Sequence, residues 1–312
     1  INTDTPYACD VIIIGPGIGG LTAAALLAKA GVDVCVLEMD SRPGGYLAGF
    51  KRGKFTFDTA IHWLNECGPG GLVREIFDFL GPDAPITPTL GHIRRYKGES
   101  FDYLLTNNPN DLRDQWIAEF PQDEKGIRLF FKHGKELGTA LEKLGPLMRC
   151  DDTMTFWEWT KIGLKRLKLA PPFLKHLGKS TEKGLKKYFT HEKLRSIYCT
   201  EENLMSCLVP IGWAYRHDYQ IPPEGGSQAF PKWLCRNITH WGGSIAYRNR
   251  VTEVLIENKK AVGVRVVQGR NRTKEKEIRA KVVISAGDLE TLYRKMLPQE
   301  AVPRSFLKRF EK

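Results

Sequence analysis

The 312-residue sequence lacks several features that mark common protein classes. It has no run of 18 apolar residues, and its most apolar region, residues 11–27, is interrupted by glycine and proline, so no membrane-spanning helix is predicted. Its seven cysteines lie far apart, form no Cys-x-x-Cys pair and are odd in number. This argues against a zinc site or a disulfide framework and favours a reducing compartment, cytoplasmic or plastid. No Ser-His-Asp arrangement, catalytic carboxylate pair or metal-spaced histidines can be recognised from spacing, so we expect no metal site.

Acidic residues are fewer than basic ones, which gives a formal net charge of +11. Residues 160–188 carry nine Lys or Arg against the single acid Glu182, with leucines between them. One interpretation is peripheral contact with an anionic membrane. The other is a solvated helical surface whose leucines face the core. No nucleic-acid-binding motif accompanies the charge, so we predict no nucleic-acid partner.

The amino-terminal region, by contrast, is rich in glycine at a regular spacing. Residues 11–14 are apolar and β-branched, which predicts a buried parallel strand. Gly15, Gly17 and Gly20 follow with the spacing G-x-G-x-x-G, then an alanine-rich helix and a second strand over residues 34–37. In such a unit, the first glycine permits a tight turn, the second admits a pyrophosphate and the third allows close packing of helix and strand.

Glu38 stands at the end of the second strand and can accept hydrogen bonds from a ribose diol, so the predicted ligand is FAD- or NAD-like rather than NADP-like. Gly44 and Gly45 predict a second close approach of the backbone to the ligand. Arg42 supplies a cation for the pyrophosphate.

These residues, with the segment KFTFDTAIHWL, resemble the phytoene desaturase-like flavoproteins, within them the branch of carotenoid isomerases and retinol saturases. A second block that begins IPPEGGSQAF and a third, AKVVISAGD, also match the family. The resemblance covers roughly residues 1–65 and 220–298. It implies FAD as cofactor, with Gly15, Gly17 and Gly20 at the pyrophosphate.

By the same resemblance, Glu38 would hold the adenosine ribose, and Arg42, Gly44 and Gly45 would approach the phosphates and the flavin. Val251 would offer its backbone to the adenine. These assignments together make up the predicted cofactor site.

Two positions depart from the family pattern: Ala60 replaces a glycine and Tyr46 replaces an arginine. The family also continues well beyond the segment that corresponds to residue 298, into a glycine-rich part that holds the flavin ring. We therefore expect this chain to be part of a longer enzyme, and a naturally short relative is the alternative.

The predicted fold is α/β, a Rossmann-like FAD-binding domain with a discontinuous α+β substrate domain that carries a helical insertion. The expected segments are 1–90 and 216–290 for the FAD-binding domain, 91–215 for the substrate domain and 291–312 for the start of a return to it. Aromatic residues gather in the middle, which indicates either a core or a cavity for a long apolar substrate.

The leading functional hypothesis is an FAD-dependent oxidoreductase that acts on carbon–carbon bonds of a lipophilic polyene or isoprenoid, as a desaturase, saturase or isomerase. His62 is the one candidate for handling a proton, against a structural histidine as the alternative. Asp58 is predicted to be a structural hydrogen-bonding partner. An amine-oxidase-like flavoenzyme and a non-catalytic dinucleotide- or lipid-binding protein are the alternatives, and the sequence gives no indication of an oligomeric state.

Overall fold

The chain forms two compact units in a computed structural model that describes residues 8–149, 154–269, 274–302 and 307. The first unit comprises Ile1–His62, Ile76–Ile86 and Pro222–Lys312. The second comprises Trp63–Glu75 and Thr87–Ile221. The domain boundaries predicted near residues 90 and 215 lie close to two of these limits and stay predictions.

The strands in the described part of the chain belong to three sheets. Their bounds are β1 Ala8–Ile14, β2 Val34–Leu37, β3 Gly49–Arg52, β4 Phe55–Asp58, β5 His92–Lys97, β6 Asp102–Thr106, β7 Ser244–Ala246, β8 Asn249–Glu257, β9 Lys260–Gln268 and β10 Lys274–Ser285. The pairs β3–β4 and β5–β6 form two separate antiparallel hairpins. The remaining six strands form the main sheet.

The α-helices of the described residues are spread over both units. Their bounds are α1 Ile18–Lys29, α2 Leu72–Leu80, α3 Pro109–Glu119, α4 Glu124–Leu144, α5 Phe156–Leu169, α6 Pro171–Leu174, α7 Thr181–Leu185, α8 Glu192–Ser196, α9 Leu204–Tyr215, α10 Ala229–His240 and α11 Leu289–Thr291. A π-helical turn, Leu292–Met296, follows α11. Single 3-10 turns lie at Gly45–Leu47, Pro121–Asp123, Gly145–Leu147 and Gln299–Ala301.

The main sheet lies in the first unit and has the strand order β7-β2-β1-β10-β9-β8. The first four strands of this order pair in parallel, and β9 and β8 extend the sheet in antiparallel register. Parallel strands need a long crossover, and α1 supplies it between β1 and β2. The predicted α/β Rossmann-like fold is confirmed.

The core of this unit explains why β1 and β2 read as continuous apolar runs. Ile12, Ile13 and all four residues of β2 are buried, because both faces of the sheet are covered. On one face, α1 buries Leu21 and Ala24 and packs against α10. The bounds predicted for the strand at residues 34–37 agree with the structure.

The second unit contains the β5–β6 hairpin and helices α3 to α9, around an aromatic core. The largest fully buried side chains of this core are Trp116, Phe130, Phe131, Phe189 and Tyr198. Of the two interpretations given for the aromatic residues, core or substrate cavity, Phe130 and Phe131 therefore agree with the core. Three further aromatic residues from the same stretch of sequence are instead exposed to solvent: Phe156, Trp157 and Trp159.

The described residues were searched for membrane-spanning helices and for metal sites. Among these residues, no helix is long and apolar enough to cross a membrane, and no cluster of metal-ligating side chains occurs. Six of the cysteines are free thiols, and Cys150 lies outside the described residues.

Candidate cofactor site

The turn between β1 and α1 is shaped by three glycines. Gly15 has a φ of +96°, which glycine adopts without strain, and its amide donates to the Leu37 carbonyl at 3.0 Å. A methyl group on Gly20 would place its carbon 2.2 Å from the Gly15 carbonyl oxygen. The helix can therefore approach the strand this closely only with hydrogen at position 20.

Gly17 caps the amino terminus of α1 and differs from Gly20 in its surroundings. A methyl carbon at position 17 would meet no atom within 4 Å. The first turn of α1 contains no acidic residue, and its cap provides no side-chain hydrogen bond. The first amides of a helix have no partner within the helix and carry positive partial charge. The space beside Gly17 is thus open, lined by main-chain donors and suited to a diphosphate.

The second glycine pair lies against this turn. Gly44 and Gly45 have φ angles of +122° and +52°. Gly44 forms an isolated parallel bridge with Gly17, and its amide donates to the Pro16 carbonyl at 2.9 Å. A methyl carbon on Gly45 would lie 3.4 Å from the Gly17 Cα atom. The structure thus brings together the two glycine motifs that the sequence places about 27 residues apart.

Glu38 and Val251 are brought together by main-chain hydrogen bonds. The Glu38 amide donates to the Ala246 carbonyl at 3.0 Å, and the Glu38 carbonyl accepts from Asn249 at 2.7 Å. Val251 follows two residues later in β8 and is buried. Burial raises the pKa of the Glu38 carboxyl group, whose Oε1 accepts from the Asp40 amide. Further hydrogen-bond donors, such as ribose hydroxyls, would favour its charged form.

The other two predicted site residues have different surroundings. A guanidinium nitrogen of Arg42, Nη1, donates to the Gly49 carbonyl and so ties Arg42 to β3. His62 is exposed, as is Tyr46 at the position of the family's arginine. The roles of Arg42 at the pyrophosphate and of His62 in proton transfer stay predictions.

Sequence reasoning did not single out Ser227 and Gln228, which hold this site in place. Asp58 Oδ1 accepts from the Ser227 amide at 2.8 Å and from its hydroxyl at 2.6 Å. Gln228 accepts from the Gly49 amide and donates to the Pro43 carbonyl, each at 3.1 Å. Asp58 is therefore a structural hydrogen-bonding partner, as predicted. The polar pair after the Gly-Gly of IPPEGGSQ was the available signal.

Known proteins resemble this chain in sequence and in fold. A model for the NAD(P)-binding Rossmann-like domain matches residues 13–80, and one for GMC oxidoreductases matches residues 225–292. An inactive all-trans-retinol 13,14-reductase of Danio rerio is 27% identical over 319 residues, which cover 96% of this chain and 50% of that protein. A chloroplastic prolycopene isomerase of Daucus carota is 27% identical over 304 residues, or 95% of this chain and 48% of the isomerase.

The fold comparison agrees with these relatives. The crystal structure of an oxidoreductase from Methanosarcina mazei matches with a TM-score of 0.60 and 20% identity, over 97% of this chain and 64% of that one. In sequence, the chain is similar to FAD-dependent oxidoreductases of the phytoene desaturase type. It spans about half the length of the curated relatives it matches.

FAD, the cofactor that these similarities support, fits the geometry of the site. The open space at Gly17 is bordered by the amino terminus of α1 and by the Gly44–Gly45 pair, so that main chain rather than side chains would face a diphosphate. Glu38 lies at the end of β2, the neighbouring strand, where a ribose attached to that diphosphate would reach it. Both features are within the first unit.

Proposed function

We propose that this protein is an FAD-dependent oxidoreductase that acts on carbon–carbon bonds of a lipophilic polyene or isoprenoid. The observation that carries the proposal is the bare main-chain turn at Gly17, with Glu38 at the end of the neighbouring strand, in a chain similar to these flavoproteins. The relatives reported above are named for prolycopene and for all-trans-retinol, both polyenes. Desaturation, saturation and isomerisation all remain within this proposal.

In this proposal, each predicted residue has a separate task in holding FAD. Gly15, Gly17 and Gly20 leave the diphosphate room beside the amides of α1, and Glu38 accepts from the ribose hydroxyls. Arg42 and the Gly44–Gly45 pair lie along the phosphates and the flavin, and Val251 presents its backbone to the adenine.

FAD, when bound, supplies the redox chemistry by exchanging a hydride with carbon. The protein positions the apolar substrate and moves any proton. We assign the proton to an imidazole nitrogen of His62, which is exposed in the first unit. An imidazole can both accept and donate a proton.

We further propose that residues 160–188, the basic segment, contact a membrane surface. In support, α5 has no buried residue, and Leu164, Leu167, Leu174 and Leu177 are each more than half exposed. The alternative, that these leucines face the core, applies only further along the segment, where Leu185 is buried. Exposed leucines between lysines fit the boundary of anionic headgroups and acyl chains.

A spectrum and a product assay test the proposed function. The purified protein, reconstituted with FAD, should show a bound flavin band in visible absorption. Incubation with a panel of carotenoids and retinoids, with reduced and with oxidised flavin, should change the mass or the isomer composition of at least one polyene. A protein that never retains flavin would contradict the proposal.

The same assay separates the two alternatives. Oxygen consumption with amines, and no change in any polyene, would favour the amine-oxidase-like enzyme. A relative named as inactive makes a non-catalytic binding protein the second candidate. For that candidate we expect polyene binding, measured by absorption shifts, without any product.

A further inference from the structure

A groove in the second unit is walled by lysines and has an apolar floor. One wall is a stripe on α4 that contains Lys132, Lys135 and Lys143, which helical spacing places along one side. Lys168, near the end of α5, lies in the facing wall. The volume is about 420 Å³, within the range of small-ligand sites.

The floor of this lysine groove comes from apolar side chains. Ala140 of α4 is buried, and Leu169 and Pro172 complete the lining from α5 and α6. An apolar floor with cationic rims suits a ligand that has both an anionic group and an apolar part.

The positive charge of the groove is only partly compensated. Among its lining residues the one acid is Glu136, whose carboxylate is 4.0 Å from the Lys132 ammonium. The Lys135 ammonium lies 5.4 Å from the ring centre of Tyr215. The four lysines therefore leave about three positive charges around one small volume, and their mutual repulsion would be relieved by an anion.

The buried His133 of α4 is also surrounded by positive charge. The Lys175 ammonium is 2.6 Å from Nε2 of His133, and Nδ1 of His133 is 2.7 Å from the Tyr188 hydroxyl. Because an ammonium only donates, this imidazole nitrogen accepts and the ring is neutral. The pKa of His133 is lowered by burial and then by lysines, Lys175 foremost and Lys132 among them.

Exposed apolar side chains lie close in sequence to the lining residues of α5 and α6. Leu167 precedes Lys168, and Leu174 follows Pro172 by two residues, and both leucines are about two-thirds exposed. The apolar lining from Ala140, Leu169 and Pro172 would contact the apolar part of an amphiphile, a contact that a free phosphate cannot use.

We propose that the lysine groove binds the phosphate headgroup of an anionic phospholipid. This inference rests on the membrane contact proposed above and names its ligand. It is independent of flavin binding, since the groove lies wholly in the second unit and the glycine turn lies in the first.

The test uses a short-chain lipid that stays monomeric, so that a membrane's surface potential plays no part. Dihexanoyl phosphatidic acid is titrated into the full chain by calorimetry, with dihexanoyl phosphatidylcholine and inorganic phosphate as comparisons. The variant replaces Lys135, Lys143 and Lys168 together by Gln. The control removes the same charge outside both the groove and the basic segment, at Lys97, Lys125 and Lys259, all exposed lysines.

We expect wild type and control to bind phosphatidic acid alike, and the groove variant to bind at least about tenfold more weakly. Phosphatidylcholine should bind far more weakly than phosphatidic acid. Equal binding by the groove variant and wild type, or no binding by wild type, would overturn the proposal. Inorganic phosphate that binds as tightly as the lipid would overturn the assignment to a lipid.

Separate measurements show which proposal has failed. Co-sedimentation of wild type with phosphatidylcholine vesicles that contain phosphatidic acid tests the membrane contact alone. A flavin band in all three proteins, together with equal circular dichroism, shows that neither the cofactor site nor the fold has changed. Loss of lipid binding by the groove variant alone then supports the lysine groove.

Discussion

Gly17 and Gly20 belong to one motif, yet the structure predicts opposite consequences for replacing each by alanine. At Gly17 the backbone has φ −64° and ψ 171°, a conformation open to alanine, and the added methyl group would meet no protein atom within 4 Å. Alanine is a poorer helix cap than glycine, but it also restricts the unfolded chain, and these effects are opposed. We expect the free energy of unfolding of Gly17→Ala to stay within about 1 kcal/mol of wild type.

FAD binding should respond differently at Gly17. The new methyl group would occupy the space assigned to the diphosphate, and forcing a carbon into a close-packed contact costs about 1–3 kcal/mol. Because 1.4 kcal/mol corresponds to a factor of ten, the Kd for FAD should rise by roughly five- to a hundredfold. Titration of apoprotein with FAD, followed by flavin fluorescence, measures this change.

Gly20→Ala should instead damage the fold. Its methyl carbon would lie 2.2 Å from the Gly15 carbonyl oxygen and 3.0 Å from the Ala286 Cβ atom, so backbone must move. We expect a loss of about 3 kcal/mol or more in urea unfolding. Gly19→Ala is the matched control, since its methyl group also meets no atom within 4 Å and the motif tolerates side chains there. A folded Gly17→Ala protein with the wild-type Kd for FAD would refute the placement of the diphosphate.

Three further predictions concern other parts of the chain. Glu38→Gln keeps the side chain's shape but removes its charge, so we expect at least about tenfold weaker FAD retention at unchanged stability; equal retention would remove Glu38 from the site. Burial first, and then its neighbours His133, Lys175 and Lys179, lower the pKa of His176 from 6.5 to about 4. The unfolded chain therefore binds this proton first, and stability should fall by about 3 kcal/mol as pH drops from 6.5 to 4. Urea unfolding across this range should show a smaller fall for His176→Gln, and parallel curves would argue against a buried neutral imidazole. Serine at both Leu167 and Leu174 should weaken co-sedimentation with anionic vesicles and change stability by less than about 0.5 kcal/mol for each site, as these leucines are exposed; unchanged sedimentation would exclude them from the contact.

Local patterns in the sequence were sufficient to locate much of the first unit. The strand at residues 34–37 was predicted with the bounds that the structure has. Apolar runs, glycine positions and helix-forming stretches act over a few residues, so their effects can be read without the fold. The two glycine motifs could also be associated from the family pattern, and the Gly17–Gly44 bridge places them together.

Interactions between distant segments could not be read in the same way. Asp58 and Ser227 are 169 residues apart, and Gln228 bonds to residues 179 and 185 positions away. Each is an ordinary polar residue in its local context. They become neighbours only when the β3–β4 hairpin and α10 assemble around the sheet, which no local pattern specifies.

The basic segment shows a second limit of pattern reasoning. Leu164, Leu167 and Leu185 stand in similar surroundings of lysine and leucine, yet the first two are exposed and the third is buried. A helix of this composition has apolar and basic residues on most sides, so its periodicity does not select the face that packs. The selection comes from tertiary contacts, which bury α7 and leave α5 uncovered.

The charged residues behind the net charge of +11 are distributed unevenly over the folded chain. On the sheet, arginines face acids: Arg265 lies beside Glu253 and Glu277, and Arg279 beside Glu257. The lysine groove has one acid among its described lining residues. Paired charges contribute little field beyond their own contact, whereas unpaired lysines in a concave site add their potentials. A net charge counted over the whole sequence treats both sets alike, whereas the folded chain places four lysines and one acid around the groove, where we propose that an anion with an apolar tail binds.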